Sequence, residues 1–193
     1  MMIANIVGIK VVTGGGIGGV HRGAETSFDI SADLNEFAKS NVIVVCSGAK
    51  SILDLNLTME YLETHAVSIA GYKTKELPAY MAVHSGIKLD YSFDNPKEVA
   101  DYMKIKQSLG LNDGLLLASP IDEEYAVDSE KMNAAVELAV KSAAENGIKG
   151  KVITKYIMEI LHREMGSDSA EASRHLNMGN AMLAAKIACE LDK

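Results

Sequence analysis

Apolar residues recur along this chain in two rhythms. Compact aliphatic runs at residues 6–12, 42–46, 67–72, 79–83 and 114–118 predict strands. In Val42-Ile43-Val44-Val45-Cys46 no polar residue alternates with the apolar ones, the pattern of a strand covered on both faces. Helical spacing fills the intervals. Leu34, Phe37 and Ala38 share one face of a short helix that Asp33 would cap, with Glu36 three residues on. Residues 55–63 predict a second helix, and Pro96 opens a third with Val99, Tyr102, Met103 and Lys106 on its inner face. Met132, Ala135, Val136, Ala139, Val140 and Ala143 form the stripe of a longer helix over 129–146, stopped by Asn146-Gly147. Thr154 would cap the next, with Ile157, Ile160 and Leu161 inward, and Ser169 opens a terminal helix carrying Ala181, Leu183, Ala184 and Ile187. Strands alternating with helices predict a layered α/β fold. No repeat or linker divides residues 1–193, so they read as a single unit.

Composition narrows the class. A chain of 193 residues with 48% hydrophobic and 23% charged positions suits one globular domain burying roughly 70% of its unfolded surface. A net charge of −7 argues against a nucleic-acid polymer as partner, which needs a basic face, but leaves room for a small anion held by a few local donors. Two cysteines, Cys46 and Cys189, make no disulfide framework and fit a reducing, cytoplasmic setting; Cys46 reads as core rather than nucleophile. No stretch reaches the roughly 18 apolar residues of a membrane span. Residues 1–10 lack the features of a signal peptide and look like core from the outset, which raises the expectation of a further segment upstream.

Three places could carry chemistry. Thr13-Gly14-Gly15-Gly16-Ile17-Gly18-Gly19 follows the first predicted strand, and its backbone N–H groups could cradle an anion, with His21 and Arg22 beside it. The formal G-x-G-x-x-G match is not followed by a helix, which disfavours a dinucleotide-binding oxidoreductase; a tight turn is the plainer alternative. In Phe28-Asp29-Ile30-Ser31-Ala32-Asp33, an extended backbone would put Asp29, Ser31 and Asp33 on one face, able to hold a hard divalent cation and substrate hydroxyls. Asp33 as a cap and Asp29 as a turn former is the competing reading. Lys50 follows Ser47-Gly48-Ala49 at the carboxyl end of the second predicted strand, where open α/β sheets place ligands. It reads as an ordinary loop lysine or as a nucleophilic amine in a dry pocket.

Taken in order, Gly15 to Gly23, Phe28 to Leu34, Gly48-Ala49-Lys50-Ser51-Ile52-Leu53-Asp54, Tyr61-Leu62-Glu63-Thr64 and Gly71-Tyr72 resemble the pseudouridine-5′-phosphate glycosidase family, also called indigoidine synthase A-like. The resemblance continues weakly through Gly110-Leu111-Asn112 and Pro120-Ile121. It implies a layered α/β/α fold with a mixed, mostly parallel sheet, and a homotrimer. It implies reversible cleavage of the C–C glycosidic bond of pseudouridine 5′-phosphate to uracil and ribose 5-phosphate. Lys50 would be the imine-forming nucleophile, Asp29 the ligand of Mn²⁺ or another divalent cation, and Ser31, Ala32 and Asp33 the substrate contacts. Local chemistry, rather than the resemblance, suggests that the glycine loop, with His21 and Arg22, could help hold the 5′-phosphate.

The resemblance also implies about a third more chain upstream, including a proton-donor glutamate, so residues 1–193 read as a partial domain. The family's Ala-Thr-Gly-Gly is here Thr13-Gly14-Gly15-Gly16, and a substrate-contacting asparagine falls on Ser173. Its Thr-Pro-Phe is Thr154-Lys155-Tyr156, and its Asn-Pro-Ile-Pro is Ser119-Pro120-Ile121-Asp122. The chemistry is coherent: a C–C glycosidic bond has no oxygen leaving group to protonate, so paired carboxylates do not suffice, whereas an amine can open the ribose and take C1′ as an imine. Bringing a lysine from about 10.4 towards 7–8 requires roughly 3–5 kcal/mol of selective destabilisation of its ammonium form. A second expectation is a non-catalytic sugar-phosphate-binding homologue, or one part of a split enzyme that needs a separate N-terminal polypeptide.

Overall fold

The computed structural model describes residues 1–193, the side chain of Lys151 excepted. Its elements run α1 (Met2–Ile6), β1 (Val11–Thr13), β2 (Val20–His21), α2 (Ala24–Ser27), α3 (Ala32–Phe37), β3 (Ile43–Cys46), β4 (Leu53–Asp54), α4 (Leu55–Thr64), β5 (Ser68–Tyr72), β6 (Ser92–Phe93), α5 (Pro96–Ser108), β7 (Leu115–Ala118), α6 (Ser129–Glu145), α7 (Ile153–Met165) and α8 (Ser167–Leu191). Five strands form one sheet in the order β1-β3-β7-β5-β6, and every pairing in it is parallel. The antiparallel element stands apart, as a two-stranded ribbon of β2 and β4. Among the described residues no helix is long and apolar enough to cross a membrane.

The period-two alternation of a strand explains the layers. On β3, Ile43 and Val45 face one side with Leu115 and Leu117 of β7, where Val99 and Met103 of α5 and Leu183, Ala184 and Ile187 of α8 cover them. Val44 and Cys46 face the other side with Leu116, against Leu34 and Phe37 of α3, Leu62 of α4, and the buried stripes of α6 and α7. The result is a three-layer α/β/α arrangement, with both faces of β3 and β7 buried as their unbroken apolar runs require.

Two expected strands take other forms. In residues 6–12 the apolar stretch is split: α1 ends at Ile6, Gly8 turns the chain at φ 81°, and only Val11 onward pairs. Residues 79–83 make a single bridge, Ala79 to Ala82, around Tyr80 at φ 63°, and bury Met81 as a loop residue instead. Helix starts differ as well. Ser31, not Asp33, caps α3 by accepting from the Asp33 N–H, which frees the Asp33 carboxylate. Helix α7 begins at Ile153 with no side-chain cap, so Thr154 has another partner.

Candidate active site

The carboxyl ends of β1 and β3 stay in register beyond the regular ladder. The Gly14 N–H donates to Val45 O at 3.2 Å, Ser47 N–H to Gly15 O at 2.9 Å, and Ile17 N–H to Gly48 O at 3.0 Å. The Lys50 N–H then donates to Ile17 O at 3.1 Å, and Ile17 bridges Ala49 in parallel fashion. The glycine loop and the Lys50 turn therefore form one bonded unit. Gly48 sits at φ 80°, and a Cβ there would collide with Pro78 O, so the turn requires glycine on both counts.

The ribbon brings the remaining groups to Lys50. His21 of β2 lies opposite Leu53 of β4, whose N–H closes a turn onto Lys50 O at 3.0 Å. On the other side of β2, Val20 bridges Ile30, His21 N–H donates to Asp29 O at 3.0 Å, and Ser31 N–H donates to Gly19 O at 3.0 Å. Residues 29–31 thus extend the ribbon antiparallel to β2. Gly18, His21, Asp29, Ser31, Asp33, Lys50, Leu53, Gly150 and Thr154 line one cavity of about 290 Å³. The expected common face of Asp29, Ser31 and Asp33 is present, although Asp33 reaches it from the first turn of α3.

The cavity rearranges several of the expected roles. The Gly18 N–H is already occupied, donating to Asp33 Oδ2 at 2.8 Å, and the Gly14 and Ile17 N–H groups are spent on β3 and its turn. The loop is a packing device before it is an anion cradle: a Cβ on Gly18 would collide with Ser31 Oγ. Arg22 is exposed and does not line the cavity, which removes it as a partner of His21 there. Ala32 and Ser173 also lie outside the lining; Ala32 is an exposed first-turn residue of α3, and Ser173 sits on α8, its carbonyl taken by Asn177 Nδ2 at 2.6 Å. Thr154, read as a cap, instead shares a hydrogen bond of 3.3 Å with His21 Nε2, and His21 is only 8% exposed. No spacing rule signals a partnership across 133 residues.

Lys50 is half-buried and His21 buried, whereas Asp29, Ser31 and Asp33 are half-buried. Cys46, the last residue of β3, is fully enclosed below the turn that leads to Lys50. Burial pushes its thiol up to about 12, so it stays neutral and inert. Among the described residues no three metal-binding side chains converge, and the Asp29 carboxylate accepts no hydrogen bond from them. One carboxylate completed by waters suits a hard divalent ion such as Mn²⁺ or Mg²⁺, and Asp29 fits that role. A larger cavity lies elsewhere, about 490 Å³ along the part of β5 not paired by β6. Its walls are mainly apolar and aromatic and its charged residues, Glu63, Lys88 and Asp90, are exposed, so it lacks the converging groups of the Lys50 cavity.

The sequence pattern of the "Indigoidine synthase A like protein" family matches residues 1–190. The chain belongs to the indigoidine synthase A-like family. A pseudouridine-5′-phosphate glycosidase of Clostridium botulinum is 50% identical over 193 residues, covering 100% of this chain and 63% of that protein. One from Escherichia coli K12 is 48% identical over 193 residues, covering 62% of its length. The chain thus spans about 63% of the length of the curated relatives it matches. Among solved structures, the prealnumycin C-glycosynthase AlnA in complex with ribulose 5-phosphate superimposes with a TM-score of 0.92 at 38% identity, over 98% of this chain and 63% of that one. An indigoidine synthase A-like protein of Thermotoga maritima gives 0.91 at 31% identity, over 100% of this chain and 63% of that one. The family fold expected from the motifs is the fold observed.

Proposed function

We propose that this indigoidine synthase A-like chain carries the imine-forming part of a pseudouridine-5′-phosphate glycosidase, splitting the C–C glycosidic bond to uracil and ribose 5-phosphate. The observation that carries the reading is the convergence of Lys50, His21, Asp29, Ser31 and Asp33 on one cavity. Relatives of nearly half-identical sequence bear that name, and AlnA holds a pentulose phosphate.

In this reading the neutral Lys50 amine adds to C1′ of the ribose, and the C1′–O4′ bond breaks with its pair and a proton going to O4′. Protonation of uracil C5 and donation of the nitrogen lone pair then form C1′=N while the C1′–C5 pair returns to the uracil ring. Water hydrolyses the imine, releasing ribose 5-phosphate and restoring the amine. Ser31 and Asp33 orient sugar hydroxyls, and His21, oriented by Thr154, faces the phosphate or moves the proton at O4′. Asp29 would hold the divalent ion, whose charge would offset that of the phosphate. A cytoplasmic homotrimer belongs to the same proposal, with the two free cysteines in keeping with a reducing setting.

Incubation with pseudouridine 5′-phosphate and Mn²⁺ tests the reading by uracil release, expected to vanish in Lys50→Ala and to need more Mn²⁺ in Asp29→Asn. No uracil from folded protein sinks unaided turnover. One observation favours a second reading, in which the chain forms the imine but a further polypeptide supplies the proton: among the described residues no glutamate lines the cavity. Borohydride would then trap ribose 5-phosphate on Lys50 without uracil release from the nucleotide.

A further inference from the structure

The terminal helix reaches the Lys50 unit through one side chain. Asn180 of α8 is 2% exposed, and its Nδ2 donates to Gly14 O at 3.0 Å and to Ser47 Oγ at 3.1 Å. Gly14 opens the glycine loop and Ser47, fully buried, opens the turn that ends at Lys50. A buried amide with both donors committed keeps its bonds only while both acceptors stay in place, so it holds the two segments at a fixed separation. Ser47 is gripped on other sides as well, by Gly15 O through its N–H and by the Tyr80 N–H, at 2.9 Å, through its carbonyl. From there the Ile17–Gly48 and Lys50–Ile17 hydrogen bonds carry any displacement to Lys50.

Asn180 does not line the Lys50 cavity, so it does not touch what binds there. Packing of the helix does not need it, because Leu183, Ala184 and Ile187 already anchor α8 on the sheet. We propose that Asn180 is a positioning residue, fixing the height of the Lys50 amine by locking the glycine loop to the Lys50 turn. The proposal rests on the imine reading for its consequence in chemistry, but its geometry stands without that reading.

Two variants test it. Asn180→Leu keeps similar volume and removes both donors, and Ser47→Ala removes one acceptor. Amide hydrogen exchange should quicken about tenfold over residues 14–19 and 46–52, the scale of one to two net hydrogen bonds, and stay unchanged over β7. Borohydride trapping of ribose 5-phosphate on Lys50 should show a maximal rate about tenfold lower in Asn180→Leu, with the half-saturating concentration within twofold of wild type. Unchanged local exchange, or exchange raised equally over β7, overturns the proposal. A wild-type chain that traps no ribose 5-phosphate sinks the imine reading alone, and exchange then decides the positioning role. If Asn180→Leu does not fold, the same exchange measurement on Ser47→Ala decides the matter.

Discussion

Gly18 holds Asp33 Oδ2 with its N–H while its Cα faces Ser31 Oγ, so one residue sets the spacing of two cavity groups. In Gly18→Ala the new methyl would collide with Ser31 Oγ and sit 3.0 Å from Asp33 Oδ2. Overpacking of this kind costs about 1–3 kcal/mol, so the thermal midpoint should fall by several degrees, and trapping at Lys50 should fall further than stability explains. Cys46 gives a second prediction. Its folded thiol is raised from 9.0 to about 12, so the neutral form is favoured by folding; that stabilisation is intact below pH 9 and fades as pH climbs towards 12. Native protein at pH 8 should take up one equivalent of iodoacetamide, at exposed Cys189, and two only in denaturant. The place of Lys50 after a β-branched strand is legible in residues 42–50, and so is the grouping of Asp29, Ser31 and Asp33. The use of Asp33 is not, because a carboxylate in the first turn of α3 looks the same in sequence whether it caps the helix or reaches back to Gly18 N–H.

At the level of elements, the sequence locates α4 and α6 to within a residue or two and the start of α5 at Pro96, and α6 has the clear apolar stripe of Met132, Ala135, Val136, Ala139 and Ala143. Periodicity fails where apolar residues serve loops, as at Met81, and where Gly8 divides one run between a helix and a strand. Lys106 is instructive because helical spacing puts it on the buried face of α5, and it is there, 3% exposed. Its ammonium donates to Asp113 Oδ2 at 2.7 Å, Asp113 O at 2.7 Å and Gly114 O at 3.3 Å. Asp113 also accepts from Ser68, which takes the Tyr102 hydroxyl, so α5 is tied to the starts of β5 and β7. Lys106→Met would strand a largely enclosed carboxylate and two carbonyls, at a cost of about 3 kcal/mol. Urea unfolding should show that loss, and Lys106→Met combined with Asp113→Asn should recover part of it; a midpoint unchanged in the single variant would refute the network's importance.

For the whole molecule, the layered α/β/α plan follows from alternation of strands and helices, but the strand order does not, because pairing between distant segments leaves no local mark. That the sheet is parallel throughout, with antiparallel pairing confined to the β2–β4 ribbon, belongs to the same class of unreadable facts. So does the seat of α8, which spans the faces of β1 and β3 and packs along α5. Ending the chain at residue 166 should uncover Val11 of β1 and Ile43 and Val45 of β3 and abolish cooperative unfolding by near-ultraviolet circular dichroism; a cooperative transition in that fragment would show that α8 is dispensable.

The hydrogen bond from Asn180 to Gly14 joins residues 166 positions apart. Synthesis runs from one end, so the glycine loop and Lys50 leave the ribosome long before the helix that pins them. During that interval an apolar sheet face stands open while Lys50 is unplaced. Such late closure favours slow folding, and the bonds that join the glycine loop to the Lys50 turn through Asn180 form only once translation has passed α8.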